Sequence, residues 1–282
     1  MNQKKNIRLI ALDLDGTLFN TQSKISEGNR QILKEAISKG ITVIISTGRP
    51  YIGLPIEDMV EIGIKYAITA NGAEIFSVPE KKPVYLDGLE PDIAEKLLQQ
   101  LYQNQIHLDA FIQGDAYTQA STRPVAEKLD MPDSIKHYIL DTRTIVDDLA
   151  DYLAKNRLSV GKMTLNFMPD GAGGFVDRDK TETILKKYPE IKYVCGGYHN
   201  LELTKAGISK AKGLHLLCDY LHIPYDATLA CGDSENDLDI IQAAGIGVAM
   251  ENAAGIVKDA ADYIAPSNDE DGVAEAVRRF CL

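Results

Sequence analysis

The chain has 282 residues, 45% of them apolar and 25% charged, which excludes global disorder and leaves ample length for a buried core. A formal net charge of −11 argues against a nucleic-acid partner, because an acidic surface repels a polyphosphate backbone; a single small phosphate can still be held by a few local cations. The cysteines, Cys195, Cys218, Cys231 and Cys281, form no CxxC pair and suggest no disulfide framework, so they read as reduced and mostly buried thiols.

The start, MNQKKNIRLI, has positive charge but no apolar signal core, and no stretch reaches the ~18 apolar residues of a membrane span. A cytoplasmic protein with no membrane partner is expected. Leu9 to Leu12 is a short apolar run that suits a buried parallel strand ending in Asp13. Ser26 can cap a helix with Ile32, Leu33, Ala36 and Ile37 on one face, closed by Gly40. Ile41 to Ser46 predicts a second strand, Ile56 to Ile62 a helix, and Tyr66 to Ala70 a third strand stopped by Asn71-Gly72.

The end of the chain repeats this rhythm. Strands are expected at Ala227 to Ala230, Ile246 to Met250 and Tyr263 to Ala265. Helices are expected over Leu238 to Ala244, Val257 to Ala261 and Val273 to Phe280. The alternation predicts an α/β fold with a doubly wound parallel sheet. Between these halves, helices at Ile93 to Leu101 and Ile145 to Leu153 mix with strands at Leu108 to Ile112, Ala116 to Gln119, Met163 to Met168 and Ile191 to Val194, and Asp170 to Gly174 breaks the region as a turn. This texture predicts an α+β domain, residues 87–202, inserted into a discontinuous core of 1–86 and 203–282. The crossings near 86 and 203 predict that the insertion closes over a substrate.

Ligands of an open parallel sheet bind beyond the carboxyl ends of its strands, and polar residues gather there. Asp13 and Asp15, two apart in extended chain, face one side, and Asp233 adds a third carboxylate from another strand. Such a cluster is costly without a cation, and hard oxygen ligands suit Mg²⁺. Ser46, Thr47 and the backbone N–H groups around Leu14 and Gly48 offer donors for phosphate oxygens, and Lys210 is a candidate for neutralising developing charge. Each piece has a plainer account. DLDGT is also a strand running into a turn, GDSENDLD a helix start capped by Ser234, and Lys210 a surface lysine. Their joint occurrence at strand ends, in this order, favours a site.

At these residues the sequence resembles the haloacid dehalogenase superfamily, within it the Cof-type sugar-phosphatase group, over nearly the whole chain. Asp13-Leu-Asp-Gly-Thr17 resembles the first motif, Thr47-Gly48-Arg49 the second, Lys210 the third and Gly232-Asp233-Ser-Glu-Asn-Asp237 the fourth. The third motif often reads Lys-Gly, which here stands at 212–213, so Lys212 is the alternative to Lys210. The resemblance implies a Rossmann-like core with a large α/β cap. It implies attack by Asp13 to form an aspartyl phosphate, with Asp15 as acid and then base. It also implies Mg²⁺ on Asp13, the Asp15 carbonyl and Asp233, with Asp237 orienting that shell, and Thr47, Leu14, Gly48, Lys210 and Asn236 on the phosphate.

Arg49 either reaches the substrate or braces its loop, and Asn71 either lines the entrance or only makes a turn. Lys162, Asn166, Tyr198 and Glu202 are insertion residues with no face assigned, and the histidines show no metal-ligand spacing. The expected activity is hydrolysis of small phosphorylated metabolites, sugar phosphates foremost. Alternatives are phosphoryl transfer to another hydroxyl, as in a mutase, or non-catalytic binding of a phosphometabolite.

Overall fold

The computed structural model describes residues 6–196 and 199–282; Tyr198 lies outside them. The first stretch gives β1 (Leu9–Leu12), α1 (Glu27–Ser38), β2 (Thr42–Ser46), α2 (Ile56–Ile62), β3 (Tyr66–Thr69), β4 (Glu74–Ser77) and β5 (Pro83–Leu86). The middle gives α3 (Pro91–Leu101), β6 (Ile106–Ile112), β7 (Asp115–Gln119), α4 (Arg123–Ala126), α5 (Asp133–Thr142), β8 (Thr144–Val146), α6 (Leu149–Asn156), β9 (Lys162–Phe167), α7 (Arg178–Leu185), β10 (Ile191–Cys195) and β11 (Leu201–Lys205). The last stretch gives α8 (Lys210–Leu221), β12 (Thr228–Gly232), α9 (Leu238–Ala243), β13 (Ile246–Met250), α10 (Gly255–Ala260), β14 (Tyr263–Ala265) and α11 (Gly272–Phe280).

The chain divides into two compact units. The first takes the residues up to Arg49, Leu54–Tyr85 and Ser209–Leu282. Its sheet has the strand order β14-β13-β12-β1-β2-β3-β4-β5. The strands from β14 to β3 run parallel, and β4 turns back antiparallel on β3, with Thr69 opposite Glu74. A doubly wound α/β sheet is therefore present, extended by β4 and β5. Neither strand is expected from the sequence, because β4 (Glu-Ile-Phe-Ser) and β5 (Pro-Val-Tyr-Leu) are not unbroken apolar runs. β1 is central and fully buried, as its unbroken apolar run requires. Leu9, Ile44 and Ile68 from β1, β2 and β3 pack with Leu214, Leu217 and Cys218 of α8 in one apolar cluster. Ser26 caps α1 by accepting from the Asn29 N–H at 3.1 Å, and Lys39 and Gly40 close the helix.

The second unit takes Pro50–Gly53 and Leu86–Ile208. Its six strands run β10-β11-β9-β6-β7-β8, antiparallel except for β7 and β8. Pro50–Gly53 joins it through the Ile52 N–H, which donates to the Gly114 carbonyl at 2.9 Å. The sequence boundary at 202/203 falls inside β11, whose five residues all pair with β10. The helix expected from Ile145 starts at Leu149, where the Asp148 side chain accepts from the Asp151 N–H at 3.0 Å. Thr144-Ile145-Val146 instead forms β8, as β-branched residues favour, parallel to β7. α3, α6 and the apolar residues of β6 and β9 form this unit's core, with Leu97, Leu108, Leu153 and Leu165 buried.

Candidate active site

Asp13 is the first residue beyond β1, and its N–H donates to the Cys231 carbonyl of β12 at 3.1 Å. The chain then turns: the Leu18 N–H donates to the Asp13 carbonyl at 3.2 Å and the Phe19 N–H to the Leu14 carbonyl at 2.8 Å. Leu14 is fully buried in this turn. Because the strand ends at Leu12, the alternation rule does not carry through, and the two aspartates meet different partners. Asp13 is buried, with Lys210 Nζ 2.8 Å from its Oδ1. Asp15 is half exposed and is held by Arg49, whose Nε lies 2.7 Å from Oδ2 and whose Nη2 lies 2.6 Å from Oδ1. Arg49 also stacks over the Phe19 ring at 5.4 Å. Arg49 thus grips the Asp15 carboxylate.

Asp233 and Asp237 follow β12. The Asp237 carboxylate has partners on both oxygens: Oδ2 accepts from the N–H groups of Asp233 and Ser234 at 3.1 Å each, and Oδ1 accepts from Lys210 Nζ at 2.6 Å. Asp233 accepts from Thr17 Oγ1 at 3.2 Å. Gly16, at φ +81°, lets the loop approach Asp233 so closely that a Cβ there would lie 2.5 Å from its Oδ2. Asp13, Asp233 and Asp237 each offer a carboxylate oxygen within 4.8 Å of the others.

The electrostatics follow from that crowding. Burial, reinforced by Asp237, Asp233 and Asp15, holds the Asp13 carboxyl well above the usual carboxylate range despite Lys210. Burial and Asp237 push Asp233 up to about 7. Burial alone would lower Lys210, but Asp13 and Asp237 outweigh it, so the ammonium stays charged. Carboxylates raised in this way form a hard-oxygen site short of positive charge, which fits a divalent cation such as Mg²⁺ and offers no soft ligand.

Lys210 is the first residue of α8, capped by Ser209, whose side chain accepts from the Lys212 N–H at 3.2 Å. Lys212 lies over the Tyr85 ring at 5.9 Å, so Lys210 is the lysine at the carboxylates. Thr47 is buried beyond β2, with its N–H on the Ile68 carbonyl at 2.9 Å and its Oγ1 accepting from the Arg49 N–H at 3.2 Å. Gly48 completes this loop. Asn236 Oδ1 lies 3.4 Å from Lys210 Nζ. Asn71 is buried, and its Oδ1 accepts from Asn236 Nδ2 at 3.3 Å.

The sequence alone assigns Thr17 and Asn252 no role. Thr17 stands inside the first motif and orients Asp233. Asn252 anchors the loop by donating from Nδ2 to the Gly16 carbonyl at 2.8 Å, and nothing in its local sequence signals this. In the second unit, Lys162, Thr164 and Asn166 share one face of β9. Lys162 pairs with Glu202 at 2.7 Å, and Asn166 with His107 at 3.0 Å. Burial lowers the His107 imidazole, so this histidine is neutral core, and no histidine joins the acidic cluster among the described residues. Among those residues, no helix is long and apolar enough to cross a membrane.

The family model of haloacid dehalogenase-like hydrolases matches residues 10–277. The chain belongs to this family. It is 31% identical over 282 residues to the 5-amino-6-(5-phospho-D-ribitylamino)uracil phosphatase YcsE of Bacillus subtilis, covering 98% of this chain and 97% of the relative. It is also 31% identical to phosphatase YwpJ of the same organism, over 97% of this chain and all of that one. Among solved structures, a haloacid dehalogenase-like hydrolase from B. subtilis matches with TM-score 0.81 and 29% identity over 96% of this chain and 99% of that one. One from Bacteroides thetaiotaomicron matches with TM-score 0.79 and 31% identity over 97% and 99%. The haloacid dehalogenase-like hydrolase described here is of the Cof type, and its activity is that of a phosphatase.

Proposed function

We propose that the protein hydrolyses monophosphate esters of small metabolites in two steps through a phosphoryl group carried on Asp13. The observation that carries this reading is the Asp13 carboxylate: buried at the end of the central strand, 2.8 Å from Lys210 Nζ and within 4.8 Å of Asp233. Asp13 attacks phosphorus, and the P–O bond to the leaving alcohol breaks. Asp15 gives the alcohol its proton, then takes one from the water that cleaves the aspartyl phosphate, so the base of the second step is the acid of the first. Lys210 and Asn236 hold the equatorial phosphate oxygens, with Thr47 and the Leu14 and Gly48 N–H groups as further donors.

Mg²⁺ is the proposed cofactor, held by the Asp13 and Asp233 carboxylates and the Asp15 carbonyl. When bound, it supplies positive charge that keeps Asp13 ionised and offsets charge on the transferring group. Asp237, whose oxygens are taken by Lys210 and two backbone N–H groups, orients this shell from behind. Sugar phosphates are the proposed substrates, and the name of the YcsE relative adds ribitylaminouracil phosphate to the candidates. Choice among these substrates is assigned to the second unit.

The test is phosphate release from p-nitrophenyl phosphate, sugar phosphates and the ribityl substrate, with Mg²⁺ and with EDTA. Metal-dependent release supports the reading. A phosphosugar product without free phosphate would indicate transfer to another hydroxyl instead.

A further inference from the structure

The turn after β3 is built at a conformational cost. Ala70, Asn71 and Gly72 all have positive φ, at +50°, +57° and +100°. Glycine and, more narrowly, asparagine accept this region, but Ala70 does not do so freely, and left-handed backbone at a non-glycine residue persists only where its surroundings impose it. The surroundings here are the site itself. The Ala70 N–H donates to the Arg49 carbonyl at 3.0 Å and the Asn71 N–H to the Thr47 carbonyl at 3.2 Å. On the other side, a Cβ on Gly72 would overlap the Ser209 carbonyl, and one on Gly213 would lie 2.7 Å from Ile68 Cγ2. The turn is thus clamped between the Thr47–Arg49 loop and the start of α8, which carries Lys210.

What this clamped turn presents is the Asn71 side chain. Its Oδ1 accepts from Asn236 Nδ2, while Asn236 Oδ1 accepts from Ser234 Oγ at 2.8 Å and Lys210 Nζ at 3.4 Å. An amide can sit in either of two flipped orientations. A carbonyl acceptor on one end and two donors on the other select one of them: oxygen toward Lys210 and Ser234, nitrogen toward Asn71. We propose that Asn71 is a positioning residue of the phosphate site, which fixes the Asn236 amide so that its second N–H faces the transferring phosphate and its oxygen helps hold Lys210. This rests on the reading of Asn236 and Lys210 as phosphate ligands. It explains why a strained turn stands at this place rather than a relaxed hairpin loop.

The experiment is a double-mutant cycle with Asn71→Gly and Asn236→Ala. Glycine suits the left-handed position, so Asn71→Gly removes the side chain without backbone strain, and an unchanged melting temperature verifies this. With p-nitrophenyl phosphate and Mg²⁺, Asn71→Gly should lower kcat/KM roughly 3- to 10-fold, the worth of one hydrogen bond, and by less than about 2-fold when Asn236 is already alanine. Inorganic phosphate affinity, measured by calorimetry on the same four proteins, should follow the same pattern. If the wild type fails to turn over any ester, the phosphatase reading fails, and the phosphate affinities alone decide the role of Asn71. An equal loss in both backgrounds, or no loss with Asn236 present, overturns the proposal.

Discussion

Arg49 grips both oxygens of the Asp15 carboxylate, at 2.7 Å from Nε and 2.6 Å from Nη2. The fork fixes the position of the group proposed to move protons in both steps. It also sets Asp15 apart from Asp13, whose partner is Lys210.

The fork can be tested by shape against charge. Arg49→Lys keeps the charge but loses bidentate geometry, so it should lose nearly as much kcat/KM as Arg49→Ala, on the order of 10-fold or more. Steady-state kinetics on both variants checks this. Full activity in Arg49→Lys would mean that only the charge matters.

Lys210 neutralises two buried carboxylates, Asp13 and Asp237. Lys210→Met should leave both uncompensated and destabilise the metal-free protein by about 3–5 kcal/mol. Urea unfolding in EDTA measures this, and added Mg²⁺ should recover part of the loss.

The acidic cluster makes a signed prediction about pH. Asp233 is pushed from the ordinary 3.8 up to about 7, and Asp13 is raised as well. In this window the folded state binds more protons than the unfolded one, so stability must fall as pH rises. Metal-free protein should therefore melt at progressively lower temperature from about pH 4 to pH 7, and Asp233→Asn should flatten that slope. Millimolar Mg²⁺ should flatten it too. A melting temperature that rises over this range in EDTA would contradict the assigned shifts.

Gly16 makes room for Asp233. Gly16→Ala places a Cβ 2.5 Å from Asp233 Oδ2 at a φ of +81°, so it should weaken Mg²⁺ activation far more than it lowers the melting temperature. Titration of activity against Mg²⁺ measures the shift in half-saturation.

Much of this was legible in the sequence because buried parallel strands are written as unbroken apolar runs and their ends in polar residues. β1 and β13 could be bounded in this way. What was not legible depends on contacts across long sequence separations. Arg49 and Asp15 are 34 residues apart, and Lys210 and Asp13 are 197 apart, so spacing cannot show that each aspartate has its own cation. β4 opens on Glu74 and β5 on Pro83, so neither is written as an unbroken apolar run, and β8 is absorbed into the neighbouring helix pattern. The strain at Ala70 has no sequence signature, because alanine gives no hint of a left-handed turn.

The proposed reaction passes the phosphoryl group through Asp13. Wild type and Asp13→Asn, both folded and loaded with Mg²⁺, should be compared for phosphate release from p-nitrophenyl phosphate, with acid-quenched protein analysed by peptide mass spectrometry. The wild type should release phosphate and carry a transient phosphoryl group on the peptide containing Asp13, and Asp13→Asn should show neither signal. Release that survives Asp13→Asn, or a phosphoryl group on another peptide, would contradict it.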